Sequence, residues 1–192
     1  MACGAVSIAI LSFLASTLVL SSVPQVASSP SPLIDDVCGS TSKEIKEFDT
    51  KMCIKTLESE PRIAAAKDLL SISIALLEFA ISNVSKRQLS YVQKQLKQTG
   101  LKADYKYVLQ TCEDAYKGFV SSFQSARGEI PGEPDTATYD IMIGYSDDID
   151  TCRNAITSKK ISDAEIWKGI HFANLIGQVS FNTVGRLPVD GV

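Results

Sequence analysis

The chain has 192 residues and a formal net charge of −3, and no charged side chain precedes Asp35. A slightly acidic chain without a basic block has no electrostatic reason to bind nucleic acid or acidic lipid, which sets that class of function aside. Once a short leader is subtracted, about 160 residues remain, enough for one domain with its own core and too few for two.

Ala5 to Leu20 is an apolar run without charge, followed by Ser21, Ser22, Val23 and Pro24 and then by Ala27, Ser28 and Ser29. This predicts a secretory signal over residues 1–28, cut between Ser22 and Ser31. The run falls short of the ~20 residues that a spanning helix needs, so no membrane anchor is expected after cleavage. Of five cysteines, Cys3 leaves with the leader. An even set of four in a secreted chain predicts two disulfides, worth roughly 3 to 4 kcal/mol each by loop closure. Three connectivities are open, and proximity favours Cys38 with Cys53 and Cys112 with Cys152. Neither pair has zinc-site spacing and His171 is the only histidine, so no metal or other cofactor is expected.

Leu33 to Cys38 reads as a brief helix stopped at Gly39, and Thr41 with Glu44 has the form of a capping box. That box would open a second short helix carrying Ile45, Phe48, Met52, Cys53 and Leu57, making a small hairpin without a core of its own. A larger body begins at Pro61, a residue suited to a first helical turn. From Leu69 to Ile81 the chain is apolar on most sides, apart from a thin line through Ala64, Asp68, Ser71, Ala75, Glu78, Ser82 and Ser85. So narrow a polar stripe predicts the central helix of a bundle. Asn83-Val84-Ser85 is an N-glycosylation sequon. Leu89, Val92 and Leu96 mark a further helix, ended by Gly100 as a left-handed cap.

Leu101, Tyr105, Val108, Leu109, Tyr116, Phe119, Val120 and Phe123 recur at three- and four-residue steps and place Cys112 on a buried stripe. The segment from Arg127 to Pro134 breaks that helix. Tyr139, Met142, Ile149, Cys152 and Ile156 then keep helical spacing, so Cys152 also faces inward. Ser162 with Glu165 predicts a capping box for a final helix with inward Ile166, Ile170, Ala173, Ile176 and Val184, closed by Pro188. No stretch alternates like a strand. These patterns give an all-α domain over residues 33–188, with four or five long helices and an N-terminal hairpin.

A nucleophile needs a base beside it, and His171 falls on the polar line His171, Asn174, Gln178 and Asn182, which predicts an exposed side chain. There is no Gly-x-Ser-x-Gly elbow and no Gly-rich phosphate loop. Asp147, Asp148 and Asp150 share one helix and Asp163 and Glu165 open another, whereas acid/base catalysis needs two carboxylates held across a cleft in different environments. The aromatic stripe Tyr105, Tyr116, Phe119 and Phe123 reads as core, and Trp167 as a cover of the core. The chain therefore reads as a binding scaffold and not an enzyme.

Two local strings, Thr111-Cys112-Glu113-Asp114-Ala115-Tyr116 and Tyr145-Ser146-Asp147-Asp148-Ile149-Asp150-Thr151-Cys152, together with four cysteines in register, resemble the plant invertase and pectin methylesterase inhibitors. The resemblance covers nearly the whole mature chain. It implies an up-down four-helix bundle with an N-terminal helical hairpin, disulfides Cys38–Cys53 and Cys112–Cys152, and a secreted protein of the apoplast or cell wall, the vacuole lying on the same route. It also implies inhibition by docking one-to-one on a carbohydrate-active enzyme. Invertase inhibitors of this family carry Pro-Lys-Phe before the fourth-cysteine helix. Here the stretch is Pro134-Asp135-Thr136, and Asp135 would face the carboxylates of a glycosidase cleft with like charge. Pectin methylesterase is thus the favoured target and acid invertase the alternative. A non-inhibitory helical binding module is a second alternative, to be marked by a roomy cavity in the core. The docking candidates are the outward residues Lys106, Glu113, Lys117, Asp140, Asp147, Asp148 and Thr151, with Asp135 in the turn.

Overall fold

A computed structural model describes residues 31–130 and 132–188. The signal reading over residues 1–28 lies outside the described residues. Seven helices occur among them. An N-terminal pair, α1 (Pro32–Glu44) and α2 (Thr50–Glu58), is followed by the single turn α3 (Pro61–Ala64). Four long helices then run up and down: α4 (Leu69–Leu96), α5 (Ala103–Glu129), α6 (134–158) and α7 (Ala164–Val184).

The core follows from the apolar stripes. Ile72, Leu76, Leu77 and Ala80 of α4 meet Val108, Leu109, Tyr116, Phe119 and Phe123 of α5, all fully buried, with Ile166, Ile170, Ala173 and Ile176 of α7 in the same cluster. Full burial of one such large side chain contributes roughly 1.5 to 3 kcal/mol. By composition α4 could cross a bilayer, yet most of its apolar residues lie in this core or pack against it, Leu70 standing exposed.

Several boundaries differ from the sequence reading. α1 runs straight through Gly39, where the roughly 1 kcal/mol propensity cost is offset by burying Ile34, Val37 and Cys38 on one side of an unbroken helix. Thr41 caps nothing. It is fully buried and its hydroxyl donates back to the Val37 carbonyl at 2.8 Å. The cap of α2 is Asp49, which accepts from Met52 N at 2.9 Å. Pro61 opens only the one-turn α3, and α4 begins afresh at Asp68, which accepts from Ser71 N at 2.7 Å while Asp68 N donates to Ser71 Oγ at 3.2 Å. At α7 the cap is Asp163 rather than Ser162, and its carboxylate accepts from Glu165 N and Ile166 N. Gly100 does take the left-handed conformation, with φ at +76°.

The largest correction concerns π-helical turns. Residues Val84–Leu89 and Ile143–Asp148 each wind in this wider form, so the helix expected at Leu89 is the second half of α4. In α6 the extra residue rotates the first half of the helix relative to the second. Ile149, Cys152 and Ile156 are buried as expected, but the stripe continues through Ala137 and Ile141. Tyr139, expected inside, is 59% exposed, and Met142 is half-buried.

Two disulfides brace the fold: Cys38–Cys53 between α1 and α2, and Cys112–Cys152 between α5 and α6 with Cα atoms 4.5 Å apart. Polar stitches complete it. Asp163 also accepts from Tyr91 of α4 at 3.0 Å and Tyr105 of α5 at 2.7 Å, so one carboxylate joins three helices. Glu78 of α4 lies between Arg62 and Arg127, and Arg186 holds α1 through Asp36 at 2.6 Å and Ser40 at 2.9 Å.

Candidate functional site

Among the described residues, the sequence candidates for catalysis are not brought together. His171 is exposed and lies flat beside Trp167, ring centres 5.9 Å apart, with no carboxylate partner among the described residues. No group of three or more potential metal ligands occurs among the described residues. The bundle interior is occupied by Tyr116, Phe119 and Phe123, the last two stacked at 4.0 Å, and the larger depressions lie on the surface.

The docking candidates divide by position. Five of them lie on α5 and α6 to either side of one close approach between these helices and make up a band: Glu113 and Lys117 on α5, and Asp147, Asp148 and Thr151 on α6. On α5, Glu113 is half-buried and accepts from Gln93 of α4 at 3.1 Å and from Lys117 one turn on at 2.8 Å. The Lys117 contact, followed by that from Gln93, holds the Glu113 carboxyl below its usual range, and Glu113 raises the Lys117 ammonium in turn. The next residue, Gly118, turns toward α6 and lies under the Asp148 carboxylate. A Cβ there would stand 2.5 Å from Asp148 Oδ2, so a larger residue would have to turn the carboxylate away. Burial first, and then the charge of Asp147, pushes the Asp148 carboxyl above its usual range. Asp147 is exposed and Thr151 anchors its hydroxyl to the Asp147 carbonyl at 2.8 Å. The Cys112–Cys152 bond below this band locks the two helices together.

Lys106, Asp135 and Asp140 stand apart. Lys106 is exposed on α5, eleven residues or about 16 Å before Lys117. Asp140 is half-buried in the rotated first half of α6. Asp135 is exposed in the first turn of α6, about 20 Å along the helix from Asp148, after a buried Pro134. There it borders a depression shared with Glu44, Tyr145, Phe181 and Arg186. Asn83, the sequon residue, is half-buried in α4 and donates to the Phe79 carbonyl at 3.3 Å, and the middle sequon residue Val84 is fully buried.

Two members of this surface escaped the sequence reading. Gln93 lies twenty residues from Glu113 and no local pattern links them. Gly118 was findable, because an isolated glycine inside a strong helical stripe marks a close approach.

The chain matches the plant invertase/pectin methylesterase inhibitor family over residues 32–182. Among curated protein sequences none matches it. Its fold is similar to a crystal structure of mutant form A of a pectin methylesterase inhibitor from Arabidopsis, with a TM-score of 0.69 at 16% identity, covering 83% of this chain and all (100%) of that one. A second pectin methylesterase inhibitor from Arabidopsis thaliana aligns with a TM-score of 0.60 at 15% identity, covering 84% of this chain and 100% of that chain. Identities this low speak for the fold alone, whereas the family match spans most of the sequence. The chain belongs to the plant invertase/pectin methylesterase inhibitor family.

Proposed function

We propose that this protein is a secreted, non-catalytic inhibitor of pectin methylesterase, which it engages one-to-one through the band Glu113, Lys117, Asp147, Asp148 and Thr151. Family membership supports an inhibitor of either pectin methylesterase or invertase. The observation that carries the choice is Asp135, exposed at the start of α6 where the invertase inhibitors it resembles present lysine. A carboxylate at that point complements the helix N-terminus and would meet a glycosidase's acidic cleft with like charge. A filled bundle interior favours docking on a protein over holding a small ligand in the core. A working interface of this kind buries on the order of 1,600 Å² in total.

The test is inhibition of a purified plant pectin methylesterase and a purified acid invertase by the oxidised mature protein, side by side at mildly acidic pH. Inhibition of the esterase alone is expected, and the double substitution Asp147→Lys with Asp148→Lys should weaken it at least tenfold, as reversing charges within a docked face commonly does. Inhibition of invertase by the unmodified protein would overturn the choice of target.

A further inference from the structure

Three adjoining depressions run along α4. The first is bounded by α2 and by Asn83 and Arg87, the second by Glu78 and Ser82, and the third by Lys67 and Ser71. They share walls: Glu60, Phe79 and Asn83 between the first two, and Arg62 and Ala75 between the last two. Together they form one trough from Ser71 to Arg87, about 24 Å along the helix axis.

The charges in this trough are committed unequally. Asp49, Glu60 and Asp68 accept backbone N–H bonds at the starts of α2, α3 and α4, and Glu78 is held by Arg62 and Arg127. Each carboxylate is thus drawn onto a helix terminus or an arginine. Lys51, Lys55, Lys67 and Arg87 are exposed on the same walls and enter no ion pair among the described residues. The walls thus carry five cations, Arg62 among them, against four carboxylates, with the carboxylates engaged by backbone N–H groups or arginines. Thr56, Ser59 and Asn83 also line the first depression, Ser59 donating its hydroxyl to the Thr56 carbonyl at 2.6 Å and Asn83 its amide to the Phe79 carbonyl at 3.3 Å, which leaves their oxygens as acceptors.

We infer that this trough binds a linear acidic polysaccharide, a polyuronate with one carboxylate per sugar. Spaced single ammonium groups suit spaced single carboxylates, and the hydroxyl and amide groups can exchange hydrogen bonds with sugar hydroxyls. The choice of a uronate rests on the proposed pectin methylesterase reading, because removal of methyl esters from pectin yields this polymer. The inhibitor would then be retained by the product of the enzyme that it restrains.

The test measures binding of the oxidised mature protein, without any enzyme, to three probes: a de-esterified oligogalacturonide, its fully methyl-esterified counterpart, and a sulfated dextran of similar length. The triple substitution Lys51→Ser, Lys55→Ser and Arg87→Ser is measured in parallel, with thermal melting to show that it folds. Preference for the de-esterified chain over both others, falling about tenfold in the variant, is expected. Absent binding, equal binding of the esterified or sulfated chain, or an unaffected variant overturns the trough as a uronate site. Esterase inhibition is assayed separately and should survive the triple substitution. Uronate binding by a protein that fails to inhibit the esterase would support the trough and overturn the functional reading.

Discussion

The two disulfide-closed hairpins have the same plan and opposite dependence on their surroundings. Cys112–Cys152 joins α5 and α6 across forty residues, inside a core that aromatic and branched side chains already fill. Cys38–Cys53 joins α1 and α2 across fifteen residues and is buried too, but that hairpin owes much of its placement to α7, through Arg186 and through the Ser40 hydroxyl donating to Asn182 Oδ1 at 2.9 Å. One bond reinforces packing that exists without it. The other holds a segment too small to keep a shape alone.

Removing each bond separates the two cases most strongly. Cys112→Ser with Cys152→Ser should lower stability by about 4 kcal/mol, and Cys38→Ser with Cys53→Ser by about 3 kcal/mol, from the entropy of the loops they close. Denaturant titration measures both. Hydrogen exchange should show the first loss spread over the bundle and the second confined to α1 and α2, and a uniform loss in both variants would erase the distinction.

The packing of the Cys112–Cys152 hairpin against α7 is tested next by Gly177→Ala. The added methyl would fall 2.1 Å from Tyr145 Cβ, an atom that cannot swing away, so α6 and α7 must part at a cost of about 2 to 3 kcal/mol. The same change at Gly118 meets only the rotatable Asp148 carboxylate and should cost less. Asp163→Asn comes after it, lowering stability by about 1 to 2 kcal/mol by weakening the bonds from Tyr91 and Tyr105 that register α4 and α5 against α7. A thermal melt of each variant decides.

The smallest effect depends on pH. The Asp148 carboxyl is raised in the folded protein by burial and by Asp147, so its contribution to stability is present at acid pH, where it is protonated, and is lost as pH rises through the raised value. Asp148→Asn should therefore stabilise the fold slightly at neutral pH, by less than about 1 kcal/mol, and change nothing near pH 3, as denaturant titration at the two pH values would show. Glu78 behaves in the opposite sense. Burial pushes its carboxyl up, but Arg127 and Arg62 outweigh burial and hold it below its usual range, so its contribution is present above the ordinary carboxylate range and fades on acidification.

Sequence periodicity was a good guide wherever an apolar stripe stayed in phase. The central helix, the Cys112 helix and the inward residues of α7 were legible for that reason. Caps were legible less well: Ser162 with Glu165 misses the true cap Asp163 by one residue, and Thr41 with Glu44 misses Asp49 by eight. Local chemistry offered neighbouring candidates, and tertiary packing chose between them. The Tyr91–Tyr105–Asp163 junction was invisible because 72 and 58 residues separate its members from the carboxylate. Among the docking candidates, helical phase named outward residues of α5 and α6, and Asp140, half-buried like Glu113 and Asp148, lies in the part of α6 that the wide turn Ile143–Asp148 rotates.

That wide turn in α6 also bears on how such a chain tolerates insertions and deletions. Losing one residue between Ile143 and Asp148 would leave a regular helix of nearly the same length, yet it would rotate everything from Pro134 to Met142 by about 100°. Tyr139 would swing toward the core and Ile141 out of it. Related chains differing by one residue here would then show different side chains at their first α6 turns while keeping the same cysteine bond, so target choice could change by a length difference as readily as by substitution.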